Sequence, residues 1–348
     1  MKGACCSGNL KALKVNNEDV MEFFSEYGIF LAKTATLVAA VLLLAAGLAA
    51  LIARGGAAER PGRLTVRCLN AHYDELALAL QSAILPKKAL KQFQKAQKAE
   101  DKQRDKAPAR RRLFVLDFQG DLRAAAVASL REEVTAVLNV ARPGEDEVLL
   151  RLESAGGLVH SYGLAAAQLL RLRERGVRLT VAVDKVAASG GYMMACVAER
   201  IVAAPFAVVG SIGVIAQLPN FHRLLKKHDV DYEQFMAGEF KRTVTLFGEN
   251  TEQGRRKFQE EIDDAHALFK DFVKIQRPQV LLEQVATGEH WYGTRALECR
   301  LVDELCTSDA VLLAARAEAD VYEVSYGVRK PLLARVLEQA RAAVLGRA

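Results

Sequence analysis

The sequence predicts a layered α/β fold carried behind one membrane helix. Three observations point there: short β-rich apolar runs alternate with stretches of helical spacing from Arg112 onward, the lengths between them suit right-handed crossovers between parallel strands, and an uncharged apolar run of about one bilayer thickness precedes them all. With 348 residues, 51% hydrophobic and 26% charged, the chain can bury a sizeable core and is not a disordered protein.

The apolar run is Thr34 to Ala53, flanked by Lys33 and Arg54. At a 1.5 Å rise it spans roughly 30 Å, enough to cross a bilayer, whereas the apolar core of a cleaved signal peptide is shorter and nearer the N-terminus. The net charge of +6 gathers largely near the front, much of it after this run, so it is not read as a nucleic-acid footprint and no nucleic-acid partner is expected. Arg54, Arg60, Arg63 and Arg67 follow the span, offset by Glu59, while the 20 residues before it offer Lys14 and Lys33; this asymmetry favours a cytoplasmic C-terminal domain. Cys5, Cys6, Cys68, Cys196, Cys299 and Cys306 show no CxxC spacing, so neither a metal site nor a disulfide framework is expected.

The expected organisation is an N-terminal segment over 1–33, with Met21 as a second candidate start, a transmembrane helix over 34–53, a basic stalk over 54–112, a folded domain over 113–325 and a helical tail over 326–348. Within the stalk, Leu76 to Leu85 reads as a helix ending before Pro86. Lys87 to Arg112 is too polar to offset its ordering entropy by burial; it reads as a solvated spacer or as an arm for anionic headgroups.

In the domain, strands are expected at Leu113 to Phe118, Val148 to Glu153 and Leu179 to Val183, and helices at Leu122 to Val140, Tyr162 to Glu174 and after Ser189. Ligands of such sheets bind at the carboxyl ends of the strands. Two loops reach that edge: Glu153-Ser-Ala-Gly156-Gly157, and Lys185-Val-Ala-Ala-Ser189. Paired glycines let main-chain N–H groups approach a ligand closely, which an oxyanion hole requires and an ordinary turn also uses. A serine at the first turn of a helix is placed either as an N-cap or as a nucleophile beside unpaired N–H groups.

A nucleophile needs a base. None of the six histidines falls in a pattern that nominates it, and neither a Gly-x-Ser-x-Gly elbow nor a His-Glu-x-x-His helix is present. Lysine is the other base open to a serine, provided that desolvation or nearby positive charge keeps it neutral. Lys185 lies in the turn, whereas Lys241 stands among Phe235, Met236, Phe240, Leu246 and Phe247 and is expected in dry surroundings.

Leu152-Glu-Ser-Ala-Gly-Gly-Leu-Val-His160, Val183-Asp-Lys-Val-Ala-Ala-Ser-Gly-Gly-Tyr192, Gly210-Ser-Ile-Gly-Val214 and Ala237-Gly-Glu-Phe-Lys-Arg-Thr243 resemble the signal peptide peptidase A type membrane serine proteases. Ser25-Glu-Tyr-Gly-Ile-Phe-Leu-Ala-Lys33 and Ala286-Thr-Gly-Glu-His-Trp-Tyr-Gly293 bring the chain closest to the SohB branch, and the resemblance runs from about Met21 to Asp309. It implies a ClpP/crotonase-like fold and a Ser-Lys dyad without cofactor, with Ser189 as nucleophile, Lys241 as general base and Ser211 orienting the lysine amine. It implies oxyanion donors at Gly156 and Gly157, with Gly190 as a further donor. Ala155 departs from the family's proline and loosens the loop at most.

The resemblance further implies peptide or protein substrates, a bacterial inner-membrane location and a homo-oligomer with active sites that can be shared between subunits. Asn220 to His228 and Gly254 to Arg277 are the candidate contact helices. Small residues at Ala187, Ala188 and Gly191 suggest a groove for small or apolar side chains, and Trp291 and Tyr292 are expected to pack the C-terminal part on the core. Two rival readings remain: a crotonase-like acyl-coenzyme A enzyme, which leaves Ser189, Ser211 and Lys241 unexplained as a set, and a non-catalytic membrane scaffold. Relatives usually act on the outer side of the membrane, against the arginine asymmetry.

Overall fold

The computed structural model describes residues 17–55, 62–104 and 110–327. The chain divides into two units, Met1–Pro61 and Gly62–Ala348. In the first unit the described residues form one helix, α1 (Asn17–Gly55). Among the described residues one stretch, Glu26–Gly47, is long and apolar enough to cross a membrane, with a mean hydropathy of 2.2. The expected span from Thr34 to Ala53 falls within α1. Cys5, Cys6 and the tail beyond Gly327 lie outside the described residues.

The second unit runs β1 (Arg63–Cys68), α2 (Leu69–Ile84), α3 (Lys87–Arg104), β2 (Arg111–Gly120), α4 (Val127–Leu138), β3 (Glu147–Ser154), α5 (Val159–Glu174), β4 (Arg178–Val183), β5 (Val186–Ala188), α6 (Gly190–Ala195) and β6 (Arg200–Ala203). It continues with β7 (Val208–Gly210), α7 (His222–Lys227), α8 (Glu252–Gln276), α9 (Leu282–Val285), β8 (His290–Tyr292), α10 (Gly293–Glu298), β9 (Glu304–Leu305), α11 (Ser308–Glu318) and β10 (Ala319–Gly327). The main sheet has the order β1-β10-β2-β3-β4-β6-β9 and is parallel except where β1 meets β10. Strands covered on both faces read as continuous apolar runs, and Leu113 to Leu116, Val148 to Leu150 and Ile201 to Ala203 are buried throughout. Together with the helices between them these strands make the layered α/β architecture that the sequence led us to expect.

The sheet splits at the end of β3. Glu147 to Arg151 pair with β4, but Ser154 pairs with Ala187 of β5, and β5 leads on to β7 and β8 as a branch of the same sheet. The segment after Ser189, read as one apolar helix, is the six-residue α6 followed by β6 and β7. Likewise the helix expected over Leu122 to Val140 begins only at Val127, because the Asp121 carboxylate accepts the N–H groups of Arg123 (3.2 Å) and Ala125 (2.8 Å) and holds the chain in turns.

Part of the expected stalk belongs to the folded unit. β1 pairs antiparallel with β10 from Arg63↔Gly327 to Cys68↔Tyr322. After it, α2 buries Asn70, whose side chain donates to Ala319 O (3.2 Å) and accepts from Val321 N (2.7 Å). All six residues of β1 are exposed, so no buried periodicity marks it as a strand; its partner lies at the other end of the chain.

One core carboxyl makes stability depend on pH. Glu133 of α4 is 4% exposed; its Oε1 accepts Tyr326 N at 2.7 Å and its Oε2 has no partner among the described residues. Burial, with a smaller push from Asp117, raises its pKa from 4.5 to about 7 despite the hydrogen bond from Tyr326. The folded state therefore holds this proton more tightly than the unfolded one, and the group's contribution to stability falls as pH rises from about 4.5 through 7. Glu133→Gln should remove this loss, raising stability at pH 8 by on the order of 3 kcal/mol relative to wild type and leaving it nearly unchanged at pH 5. Urea melts at the two pH values check it; an equal effect at both would exclude Glu133 as the cause.

Candidate active site

Three parallel neighbours end side by side. Ser154 of β3 pairs with Ala187 of β5, Ala187 with Val209 of β7, and Ala188 with Gly210. The next residues along β5 and β7 are Ser189 and Ser211, and the Ser189 N–H donates to Gly210 O at 2.7 Å. Both serines have positive φ, 51° for Ser189 and 52° for Ser211, a strained backbone for a residue with a Cβ and one that concentrates at functional sites. The two expected site serines thus follow the carboxyl ends of the paired strands β5 and β7.

Ser189 occupies the N-cap position of α6, with ψ −120°, but its hydroxyl makes no cap hydrogen bond. A capping serine spends its oxygen on the helix, and this one does not. The hydroxyl is half-buried and unengaged among the described residues. With only six residues, α6 offers Ser189 local N–H groups rather than the summed dipole of a long helix.

The glycine loop comes directly against it. A Cβ on Gly156 would lie 2.7 Å from Gly190 N, 2.8 Å from Ala188 O and 2.8 Å from Ser189 Cβ, so the close approach needs glycine, and φ 91° does too. The Gly156 N–H, however, donates to the Ser154 hydroxyl at 3.1 Å. The N–H groups of Gly157 and Gly190 carry no hydrogen bond among the described residues. Of the three expected donors, two are therefore free and one is engaged.

Sequence reasoning missed what holds this loop. Ser154 Oγ lies 2.6 Å from Tyr162 Oη, and Tyr162 donates its proton to Asp121 O at 2.8 Å. The phenol proton being spent there, the Ser154 proton goes to the phenol oxygen, and a directed chain runs Gly156 N–H, Ser154, Tyr162, Asp121 carbonyl. Both side chains are buried, and burial pushes the Tyr162 phenol above its ordinary pKa, keeping it a donor. A buried Tyr seeks a partner for its hydroxyl, which is the one signal that could have flagged it.

Ser211 is tied to the loop before β8: its N–H donates to Glu289 O at 2.8 Å and its hydroxyl to Gly288 O at 3.2 Å. Lys241 is not brought to either serine by hydrogen bonding. It is exposed in an irregular stretch and its amine makes no hydrogen bond or ion pair among the described residues. The dry surroundings expected for it are absent from the single chain, where Phe235, Met236, Phe240 and Phe247 are themselves exposed, Phe235 by 90%. The expected groove residues Ala187, Ala188 and Gly191 are buried instead, Gly191 lying where a Cβ would be 2.4 Å from Ser154 O. Trp291 packs on the core as expected, whereas Tyr292 is exposed and meets the Phe206 ring edge to face.

Comparison with known proteins agrees with the site's composition. The family model "Peptidase family S49 N-terminal" matches residues 22–169, and "Peptidase family S49" matches residues 171–322. A protein of Haemophilus influenzae named "Probable protease SohB" is 47% identical over 336 residues, covering 92% of this chain and 93% of that one. One of the same name from Buchnera aphidicola is 56% identical over 226 residues, covering 65% of this chain and 67% of that one. Among solved structures, a ClpP1 mutant from Listeria monocytogenes aligns with a TM-score of 0.35 and 13% identity, covering 58% of this chain and 94% of that one. Two adjoining family domains and near full-length identity to a SohB protein leave one assignment: this chain belongs to peptidase family S49, in its SohB branch.

Proposed function

We propose that this peptidase is a membrane-anchored serine endopeptidase that works through a Ser-Lys dyad and an acyl-enzyme. The observation that carries the reading is Ser189, a strained N-cap serine whose hydroxyl caps nothing and which stands against the Gly156–Gly157 loop. Ser189 Oγ attacks the carbonyl carbon as its proton passes to the neutral amine of Lys241. The tetrahedral oxyanion is held by the unpaired N–H groups of Gly157 and Gly190. Collapse breaks the C–N bond, with Lys241 returning the proton to the leaving amine, and water then hydrolyses the ester by the same proton route. Ser211, whose proton is directed at Gly288 O, keeps lone pairs that can accept an N–H from the lysine and orient it. The engaged N–H of Gly156 leaves that residue a steric role in the close approach.

The exposed apolar stretch from Ile215 to Phe247 supports a homo-oligomer, because a second copy packed there would cover these side chains and desolvate Lys241. Candidate substrates are membrane-associated peptides or signal-peptide remnants, and the inner membrane is the location that α1 would serve. Cleavage of a fluorogenic peptide by the detergent-solubilised full chain tests the activity; hydrolysis of an acyl-coenzyme A thioester without peptide cleavage would favour the rival chemistry. Phe235→Ser should leave the melting temperature of the single chain unchanged, since the ring is exposed, while lowering oligomer mass and turnover together. Light scattering and the peptide assay check it, and unchanged mass with full turnover would exclude this surface.

A further inference from the structure

Residues Ser154 and Tyr162 are buried beside the site, and neither is used by the dyad chemistry. Tyr162 is wholly buried and meets both halves of the oxyanion site at once. A Cβ on Gly190 would lie 2.4 Å from Tyr162 Cγ, so the ring is the floor on which Gly190 rests. Through its hydroxyl the same residue holds Ser154, which holds the Gly156 N–H. Gly120 completes the fit, since a Cβ there would lie 2.3 Å from Ser154 Oγ and 2.4 Å from Tyr162 Oη. At its far end the chain of hydrogen bonds is anchored by Asp121 O, and the Phe118 and Tyr162 rings meet in a T-shaped arrangement with centroids 6.5 Å apart.

We infer that Ser154 and Tyr162 are positioning residues that set the aim of the two oxyanion donors, a reading that rests on the proposed acyl-enzyme chemistry. The direction of each hydrogen bond explains how. With the Gly156 N–H drawn inward to Ser154, the following peptide is fixed and the Gly157 N–H stays free; with the ring beneath Gly190, the second donor cannot retreat. Both donors then share one rigid support, which matters because the charge they stabilise develops only in the transition state.

The test uses the full chain in detergent, with Ser154→Ala and Tyr162→Phe compared to wild type. Tyr162→Phe keeps the ring under Gly190 and removes only the hydroxyl. Each variant should lose roughly 10²-fold in kcat, the low end of what a lost oxyanion donor costs, with KM within about twofold. A peptide aldehyde, whose adduct with Ser189 places an oxygen in the same hole, should bind more weakly in the same proportion. Full kcat in both variants overturns the inference, as does a kcat loss that follows a fall in melting temperature while aldehyde and substrate affinity weaken equally. If wild type itself cleaves no peptide, the peptidase chemistry fails separately, and amide exchange still decides the brace. Faster exchange over residues 155–158 in Ser154→Ala supports it; unchanged exchange overturns it.

Discussion

Replacing Ser189 by alanine should reduce peptide cleavage to background, a loss of at least about 10⁴-fold in kcat, since removal of the nucleophile of a serine protease leaves only binding and the oxyanion donors. Nothing nearby can substitute. The neighbouring Ser211 hydroxyl is committed to Gly288 O, and the Ser154 hydroxyl is buried and spent on Tyr162. The fold should not suffer, because the Ser189 side chain makes no cap hydrogen bond; its melting temperature should match wild type, since the strain at φ 51° is kept and no side-chain hydrogen bond is lost. Turnover of a fluorogenic peptide, read beside a thermal melt, checks both halves. Cleavage persisting above about 1% of wild type would remove Ser189 from the nucleophile's role.

The second large effect is expected at Lys241. Lys241→Ala should lower kcat by at least about 10³-fold, since an unassisted serine hydroxyl is a poor nucleophile at neutral pH. Stability should be unaffected, because the side chain is exposed and unpaired in the single chain. The same exposure makes a sharper experiment possible. Co-expressing tagged Ser189→Ala and Lys241→Ala chains, each inactive alone, should restore measurable turnover in mixed oligomers if the base is supplied across a subunit contact. Mixed oligomers as dead as either parent would place the base within its own subunit.

Much of the core was legible because its signals are local. Leu113 to Leu116 and Val148 to Leu150 are buried on both faces and so are apolar without alternation, which reads directly as interior strand. Gly156 and Gly157 were legible as a pair directly after a strand, and the structure supplies the reason that they and Gly190 are glycines: a Cβ at each would meet backbone or ring atoms of another segment within 3 Å. β1 was not legible, since all of it is exposed and its pairing with β10 joins the two ends of the folded unit. Nor was the Ser154–Tyr162 bridge, because two residues eight apart meet only when β3 and α5 have packed. Glu133 reads in sequence as an ordinary helix-surface carboxylate, and only the seating of α4 against β10 buries it.

By itself the sequence determined the apolar span in α1 and the alternation of strands and helices, because each depends on composition or on neighbours a few residues away, and it put forward the serines, lysine and glycines proposed for the site. Tertiary structure decided three further things. It set Ser189 beside Ser211 through the pairing of β5 with β7, it turned the Gly156 N–H inward and left those of Gly157 and Gly190 free, and it left Lys241 outside in a single chain. Each of these is a relation between distant segments, set by which surfaces can be buried together, and a linear pattern carries the residues but not their meeting.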